Sequence, residues 1–489
     1  MLMKNLNQYI EAISVIERRG DGNPNISSIT FDSRKAGDGV MFVAMRGTKT
    51  DGHSFIKSAA MAGTSVIVCE ELPDENFAGV IFLKVEDSAE ALGYLAGVYY
   101  NHPSEKLELV GVTGTNGKTT IATLLYKLAI EMGFKAGLCS TVANYIGEEK
   151  FETSHTTPDT LTLNKLMSDM VDAGCEYCFI EVSSHSVVQK RITGLKFKGG
   201  IFTNLTHDHL DYHLTFDNYL KAKKMFFDEL GNEAFALVNI DDKNGRVMLQ
   251  NTKAGKYTFS LREMADFKIK VIESLPEGMM FNIKGHELWT SLVGKFNASN
   301  LAAVYGTAEL LGWNKDEILV NLSKLVPVDG RFETIRSNGG VTAIVDYAHT
   351  PDALKNVIEA VNSIRKSDSE LIIVVGAGGD RDPSKRPVMA AEAVKGATKV
   401  ILTSDNPRSE DPETIISQMM EGVKSENRGM VLSITNRREA IRAACSMARK
   451  GDIVLVAGKG HETYQDIKGV KSHFDDREVI REYFNSVEN

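Results

Sequence analysis

No stretch of this chain is apolar for long enough to span a bilayer, so a transmembrane role is not expected. The opening residues, Met1 to Glu11, lack the continuous apolar core and small-residue cleavage site of a secretory leader, and the cytoplasm is the expected compartment. Positive charge is also in short supply. The 56 Lys and Arg stand against 65 Asp and Glu, a net charge of −9, which argues against a dominant nucleic-acid footprint but leaves room for small anions in a local basic pocket. Cysteine is scarce too: Cys69, Cys139, Cys175, Cys178 and Cys445 are odd in number and scattered, the pattern of reduced thiols rather than of a disulfide framework. Cys175 and Cys178 have the spacing of half a zinc site, but no second pair completes it, and the segment runs into Phe179-Ile180, so a buried strand is expected there. A fixed-period repeat and a low-complexity linker are both absent.

What remains is a globular composition in a chain of 489 residues, too long for one hydrophobic core and suited to three domains. The first 107 residues carry short β-rich runs, Val40–Ala44 and Ser65–Cys69, broken by Gly and Asp, which predicts a small α/β domain. From Leu107 the pattern is strand, Gly-rich turn and helix, and further apolar strands at 177–182, 200–202 and 236–240 predict a parallel sheet covered on both faces. After Arg331 the rhythm restarts with strands at 341–345, 371–375, 399–403 and 453–457 and a helix over 352–364, a Rossmann-like third domain. The expected α/β chain thus has domains at 1–107, 108–336 and 337–489.

Three clusters carry chemistry. In Gly114-Thr115-Asn116-Gly117-Lys118-Thr119-Thr120 the glycines let backbone N–H groups approach phosphate, Lys118 adds a point charge and Thr119 offers a hydroxyl to magnesium. The strict phosphate-loop pattern puts Gly where Val112 stands, yet the strand before and the helix after, with Leu124, Leu125 and Leu128 on one face, supply the context the motif needs. Glu181-Val-Ser-Ser-His185 falls at the carboxyl end of an apparent parallel strand, the edge where such sheets hold ligands. The run from Thr203 to His213 is dense in oxygen and imidazole groups, with His207, Asp208, His209 and Asp211. A dinucleotide fingerprint at Gly376-x-Gly378 fails at its third glycine, where Arg381 stands, which argues against a dehydrogenase.

These three motifs, followed by Asp329-Gly-Arg-Phe-Glu333, Asp346-Tyr-Ala-His349 and Asp405-Asn406-Pro407-Arg408, occur in the order seen in Mur ligases, and over residues 28–465 the chain resembles that family. The resemblance implies an ATP-dependent ligase of peptidoglycan precursor synthesis, in which a substrate carboxylate becomes an acyl phosphate that an incoming amine attacks. It implies ATP and two magnesium ions as cofactors, with Lys118, His209 and a carbamylated Lys223 as catalytic residues and Thr119, Glu181, His209 and Lys223 holding metal. Lys221 and Lys224 flank Lys223, and without the resemblance all three read as a solvated helix face. Nucleotide contacts are implied for residues 114–120, Asn300, Arg331, Asp346 and His349. A UDP-N-acetylmuramoyl dipeptide is implied at Ser33, Thr48, Lys49, Thr50, Thr156, Thr157, Ser183, Gln189 and Arg191, with His155 left open. Amino-acid contacts are implied for Arg381, Asp405, Asn406, Pro407, Arg408, Gly458 and Glu462. Arg408 favours diaminopimelate over lysine, because a guanidinium grips a second carboxylate where lysine would bring like charge. A monomer with small-molecule partners, and with neither nucleic acid nor membrane, is expected.

Overall fold

A computed structural model describes residues 4–47, 50–153, 156–206 and 208–488 of the chain. Thr48, Lys49, His155 and His207 therefore lie outside the described residues. Three sheets organise the molecule, of five, eleven and six strands.

The first sheet is ordered Glu17–Arg19, Ile81–Lys84, Val66–Cys69, Val40–Val43, Ser28–Thr30, and all of its pairings but the first are parallel. The inner strands read as unbroken apolar runs because both faces are covered, so Val66 to Cys69 are all buried.

At the centre of the second sheet, Glu108–Thr113 lies between Tyr177–Glu181 and Gly199–Phe202, both parallel to it. Helix Lys118–Glu131 packs Ile121, Leu124, Leu125 and Leu128 on one side of this sheet, against helix Lys295–Leu310. Cys178 is buried within its strand, and all five cysteines are free and buried. The sheet is not parallel throughout. A meander of Phe267–Leu275, Gly278–Ile283 and His286–Thr290 extends one edge with antiparallel pairings, and a hairpin of Asn144–Ile146 and Glu149–Phe151 extends the other. These short hairpins alternate weakly along the sequence, Phe267–Leu275 being only partly buried, so their periodicity gave little signal.

The third sheet is ordered Glu333–Arg336, Thr342–Asp346, Ile453–Ala457, Leu371–Val375, Lys399–Leu402, Val431–Ser433, parallel except at its first strand. The segment that leads into this sheet is held where two glycines touch, and Tyr347 N donates to Gly330 O at 3.0 Å. A Cβ at Gly330 would lie 2.0 Å from His461 N, and one at Gly460 would lie 2.6 Å from Gly330 O, with φ of +64° and +53° respectively. Among the described residues no helix is long and apolar enough to cross a membrane.

Candidate active site

The carboxyl ends of the second and third sheets face one cleft of about 1840 Å³. Strand Glu108–Thr113 delivers the phosphate loop into it, and the run after Gly199–Phe202 clamps that loop. Asn204 O accepts from Thr115 N at 2.8 Å, Asn204 Oδ1 accepts from Asn116 N at 2.9 Å, and Thr203 Oγ1 donates to Asn116 O at 2.6 Å. Thr115 Oγ1 lies 3.1 Å from Tyr219 Oη, so this hydroxyl serves the loop's scaffold. Gly114 cannot be replaced without movement, since a Cβ there would fall 1.8 Å from Thr203 Oγ1 at φ +146°.

Two lysines converge on a single carbonyl beneath the loop. Gly114 O accepts from Lys118 Nζ at 2.9 Å and from Lys223 Nζ at 2.8 Å, and Lys118 also donates to Thr115 O at 2.8 Å. Lys223 reaches this depth because helix Phe216–Asp228 buries Tyr219, Ala222, Lys223, Phe226 and Phe227 on one face. Lys221 is exposed, whereas the Lys224 side chain is 13% exposed and pairs with Asp228 at 2.6 Å, so the solvated-face reading holds for Lys221 and fails for Lys223. Burial, and then the Lys118 charge, hold the Lys223 amine well below its ordinary range against the opposing pull of Asp208. Lys118 is lowered as well, by burial first, with Glu181 and Asp208 opposing.

Glu181 ends its strand with 1% exposure. Its Oε1 accepts from Thr141 N at 2.6 Å, while its Oε2 is buried with no hydrogen-bond partner among the described residues. The neighbouring segment braces it, with Thr157 Oγ1 donating to Glu181 O at 2.7 Å and Arg191 Nη1 to Thr157 O at 2.8 Å. Gln189 takes its place behind the cleft lining, where its Oε1 accepts from Arg191 Nη2 at 2.6 Å. Thr156 Oγ1 accepts from Thr141 Oγ1 at 3.1 Å, and Ser183 caps the short helix that follows Glu181.

His209 stands in the left-handed region at φ +54°. Burial drives its imidazole down to about 3, with Lys118, His185 and Lys223 adding to the shift and Asp208 opposing it, so the ring is neutral and able to ligate a metal. Burial opposes ionisation of Asp208, yet His209, Lys385 and His349 hold its carboxyl well below the usual range. Its partner Lys385, 2.6 Å away, comes from the third domain. Among the described residues no three His, Cys, Asp or Glu side chains form a ready metal cage. A cation here would instead find the orphaned Glu181 oxygen, the Thr119 hydroxyl and the neutral His209, of which the two oxygens are the hard donors that suit magnesium bound alongside phosphate.

The third domain closes the nucleotide side. Arg331 donates through Nη2 to Thr119 Oγ1 at 3.1 Å and lies over the Tyr347 ring at 4.5 Å. Asp346 Oδ2 accepts from Phe332 N at 2.7 Å, and burial raises its carboxyl to about 6 against the opposing charge of Arg331. Asn116 Nδ2 donates to Asp352 Oδ2 at 3.1 Å, a second tie between the domains. Asn300 faces Gly117, where a Cβ would meet Asn300 Oδ1 at 2.8 Å, and His349 and Thr120 also line the cleft.

Across the cleft lie the loops of Arg381, Arg408 and Glu462. Arg408 has φ +50°, and its Nη1 donates to Gly379 O at 2.6 Å. Gly379 packs so closely on the neighbouring loop that a Cβ would fall 1.9 Å from Pro407 O, so the glycine run serves loop packing. Gly458, at φ +119°, leaves 2.8 Å between an added Cβ and Asp405 Oδ2. Beneath this loop, Arg386 is 2% exposed and forks onto Glu410 with two 2.8 Å bonds. Ser33 and Thr50, on the first domain, do not line the cleft, and neither does Pro407. Lys385, Arg386, Lys459 and His461 were missed by sequence reasoning. Lys459 and His461 sit between Gly458 and Glu462, the two residues implied as amino-acid contacts, and the burial of Lys459 was the missing signal.

A phosphate loop, an orphaned carboxylate beside it and a third domain bearing arginines define a nucleotide-dependent enzyme of two facing α/β domains. The chain matches the Mur ligase middle domain over residues 112–308, the Mur ligase glutamate ligase domain over 330–460 and the Mur ligase family catalytic domain over 25–100. It is 56% identical over 480 residues to UDP-N-acetylmuramoyl-L-alanyl-D-glutamate--2,6-diaminopimelate ligase of Bacteroides thetaiotaomicron, covering 98% of this chain and 100% of the relative. The similarly named protein of Phocaeicola vulgatus is 57% identical, with 98% and 99% covered. A solved structure of a ligase with the same name superposes with a TM-score of 0.71 at 31% identity, over 100% of both chains. This chain belongs to the Mur ligase family and is an ATP-dependent ligase.

Proposed function

We propose that the chain uses ATP to join meso-2,6-diaminopimelate to UDP-N-acetylmuramoyl-L-alanyl-D-glutamate, forming ADP, phosphate and the next peptidoglycan precursor. The observation that carries this reading is the placement of the phosphate loop, the orphaned Glu181 oxygen and Arg408 on one cleft. A carboxylate is a poor acyl donor, because oxide leaves badly, and phosphorylation converts it into an acyl phosphate. Lys118 and the loop N–H groups hold the transferring phosphoryl, and Arg331 approaches from the third domain. Thr119 and Glu181 would hold one magnesium ion, and His209 with Lys223 a second. Bound there, magnesium supplies charge neutralisation for the phosphates.

Lys223 joins that set as a carbamate. Its depressed amine is the neutral, nucleophilic form; it adds to carbon dioxide with release of one proton, and the product sets a carbamate anion beside Lys118. Asn300, Asp346 and His349 hold the nucleotide. Thr156, Thr157, Ser183, Gln189 and Arg191, with Ser33 and the 48–50 loop of the first domain, receive the UDP-sugar dipeptide. Arg381, residues 405–408, Gly458 and Glu462 take the amino acid, and Arg408 selects for its second carboxylate. The first, central and third domains thereby carry UDP-sugar, ATP and amino acid in turn, with the third sheet beginning at Glu333, a few residues before the expected boundary at 336. A cytoplasmic monomer is proposed, and the five free cysteines support a reducing compartment.

The test is phosphate release by purified protein given ATP, magnesium and the UDP-dipeptide, with diaminopimelate or lysine offered separately. Release with diaminopimelate alone is expected. Equal release with both would remove the Arg408 argument, and release with neither would remove the substrate assignment.

A further inference from the structure

Between Gly458 and Glu462 the chain buries an ammonium group completely, for Lys459 has no exposed surface. Such a group is rarely found unpaired. Its Nζ lies 3.1 Å from Asn406 Oδ1, 3.3 Å from Glu462 Oε2 and 3.6 Å from Asp405 Oδ1. Asn406 is held at both ends of its amide, Nδ2 donating to the same Glu462 oxygen at 2.8 Å and Oδ1 accepting from Asp466 N at 3.0 Å. Asp405, Asn406 and Glu462 border the cleft, whereas Lys459 does not and so stands behind all three.

We propose that Lys459 is a positioning residue and the fixed counter-cation of the amino-acid subsite, setting its charge so that a substrate with a second carboxylate is accepted. The proposal deepens the functional reading above and rests on these loops receiving diaminopimelate. Asp405 and Glu462 bring two negative charges and Lys459 brings one positive charge. The single negative charge left over matches the one ammonium at the far end of diaminopimelate, and the carboxylate beside that ammonium is left for Arg408. Without Lys459 the two carboxylates lose the ammonium in contact with both, for the nearby Arg437 is committed to Asp476 at 2.8 and 2.7 Å, and their field strengthens. That field repels the second carboxylate of diaminopimelate and favours lysine, which ends in an ammonium alone. Selectivity thus depends on a buried charge as well as on the arginine at the surface of the cleft.

The experiment compares wild type with Lys459→Met, which keeps the length of the side chain and removes its charge, and with Lys459→Arg, which keeps the charge. The apparent KM for diaminopimelate, for ATP and for the UDP-dipeptide is measured by phosphate release, and kcat/KM is measured for diaminopimelate and for lysine. In Lys459→Met the KM for diaminopimelate rises at least about tenfold, the KM for ATP stays within about twofold, and the diaminopimelate-to-lysine ratio of kcat/KM falls by at least about tenfold. Lys459→Arg keeps the wild-type ratio. Lys459→Gln, which also removes the charge, carries the test if Lys459→Met does not fold, and it is expected to lower the ratio in the same way. A folded Lys459→Met or Lys459→Gln with an unchanged ratio, or a proportional rise in all three KM values, overturns the proposal. Wild type that uses neither amino acid overturns the underlying substrate reading instead, which is a separate outcome.

Discussion

Replacing Glu181 with Gln should make the metal-free protein more stable while removing most of its activity. The carboxylate is 1% exposed, and among the described residues only one of its oxygens is bonded, to Thr141 N at 2.6 Å. Glutamine keeps that bond through its carbonyl oxygen and puts a neutral amide where the orphaned Oε2 lies. A buried, unmatched polar group costs about 1–3 kcal/mol, and a charged one more, so relief of about 1–3 kcal/mol is expected where no cation is present. For a domain of this size each kcal/mol moves the melting point by about 2–4 °C, so in EDTA the variant should melt roughly 2–12 °C above wild type. Adding magnesium with ATP should reverse the order, because wild type gains a ligand that the variant holds poorly. Turnover should fall by at least about a hundredfold, since charge neutralisation by a metal is worth several kcal/mol in the transition state. The assay is differential scanning fluorimetry with and without magnesium and ATP, alongside phosphate release. A variant less stable than wild type in EDTA, or one with normal magnesium-dependent turnover, would refute the reasoning.

Lys223→Ala should lose about 10- to 100-fold in turnover, and acetate or another short carboxylate should restore part of it by entering the space vacated next to Gly114 O; unaffected turnover would remove the carbamate. Asp346 supplies a pH signature. Its carboxyl, raised from 3.8 to about 6 by burial, favours the protonated folded form, so its stabilising contribution is complete below about pH 4 and fades as pH rises through about 6, a change worth about 3 kcal/mol. Melting curves of Asp346→Asn should therefore vary less between pH 4 and pH 7 than those of wild type, and parallel curves would contradict the assignment.

The phosphate loop and the strands beneath it were legible in the sequence because a fully covered parallel sheet leaves unbroken apolar runs. Leu371–Val375 and Ile453–Ala457 coincide with their predicted ranges for this reason. The antiparallel extensions were not, since a partly exposed hairpin such as Phe267–Ile283 gives only intermittent alternation. The site divides along similar lines. Lys118, Thr119 and Glu181 announce themselves by motif, whereas the depth of Lys223 follows from a helical face shared with Tyr219 and Phe226. Lys385, Arg386 and Lys459 act through partners far away in sequence, Asp208, Glu410 and Asp405, and only the fold brings these together.

The contact between Gly330 and Gly460 has a pharmacological consequence. Backbone meets backbone there, with no side chain between to rotate aside. A small molecule that seated one methyl-sized group in that seam would push Gly330 off the third sheet and carry its neighbour Arg331 away from Thr119. Such a wedge would act without resembling nucleotide, sugar or amino acid, and high substrate concentrations would not displace it by competition.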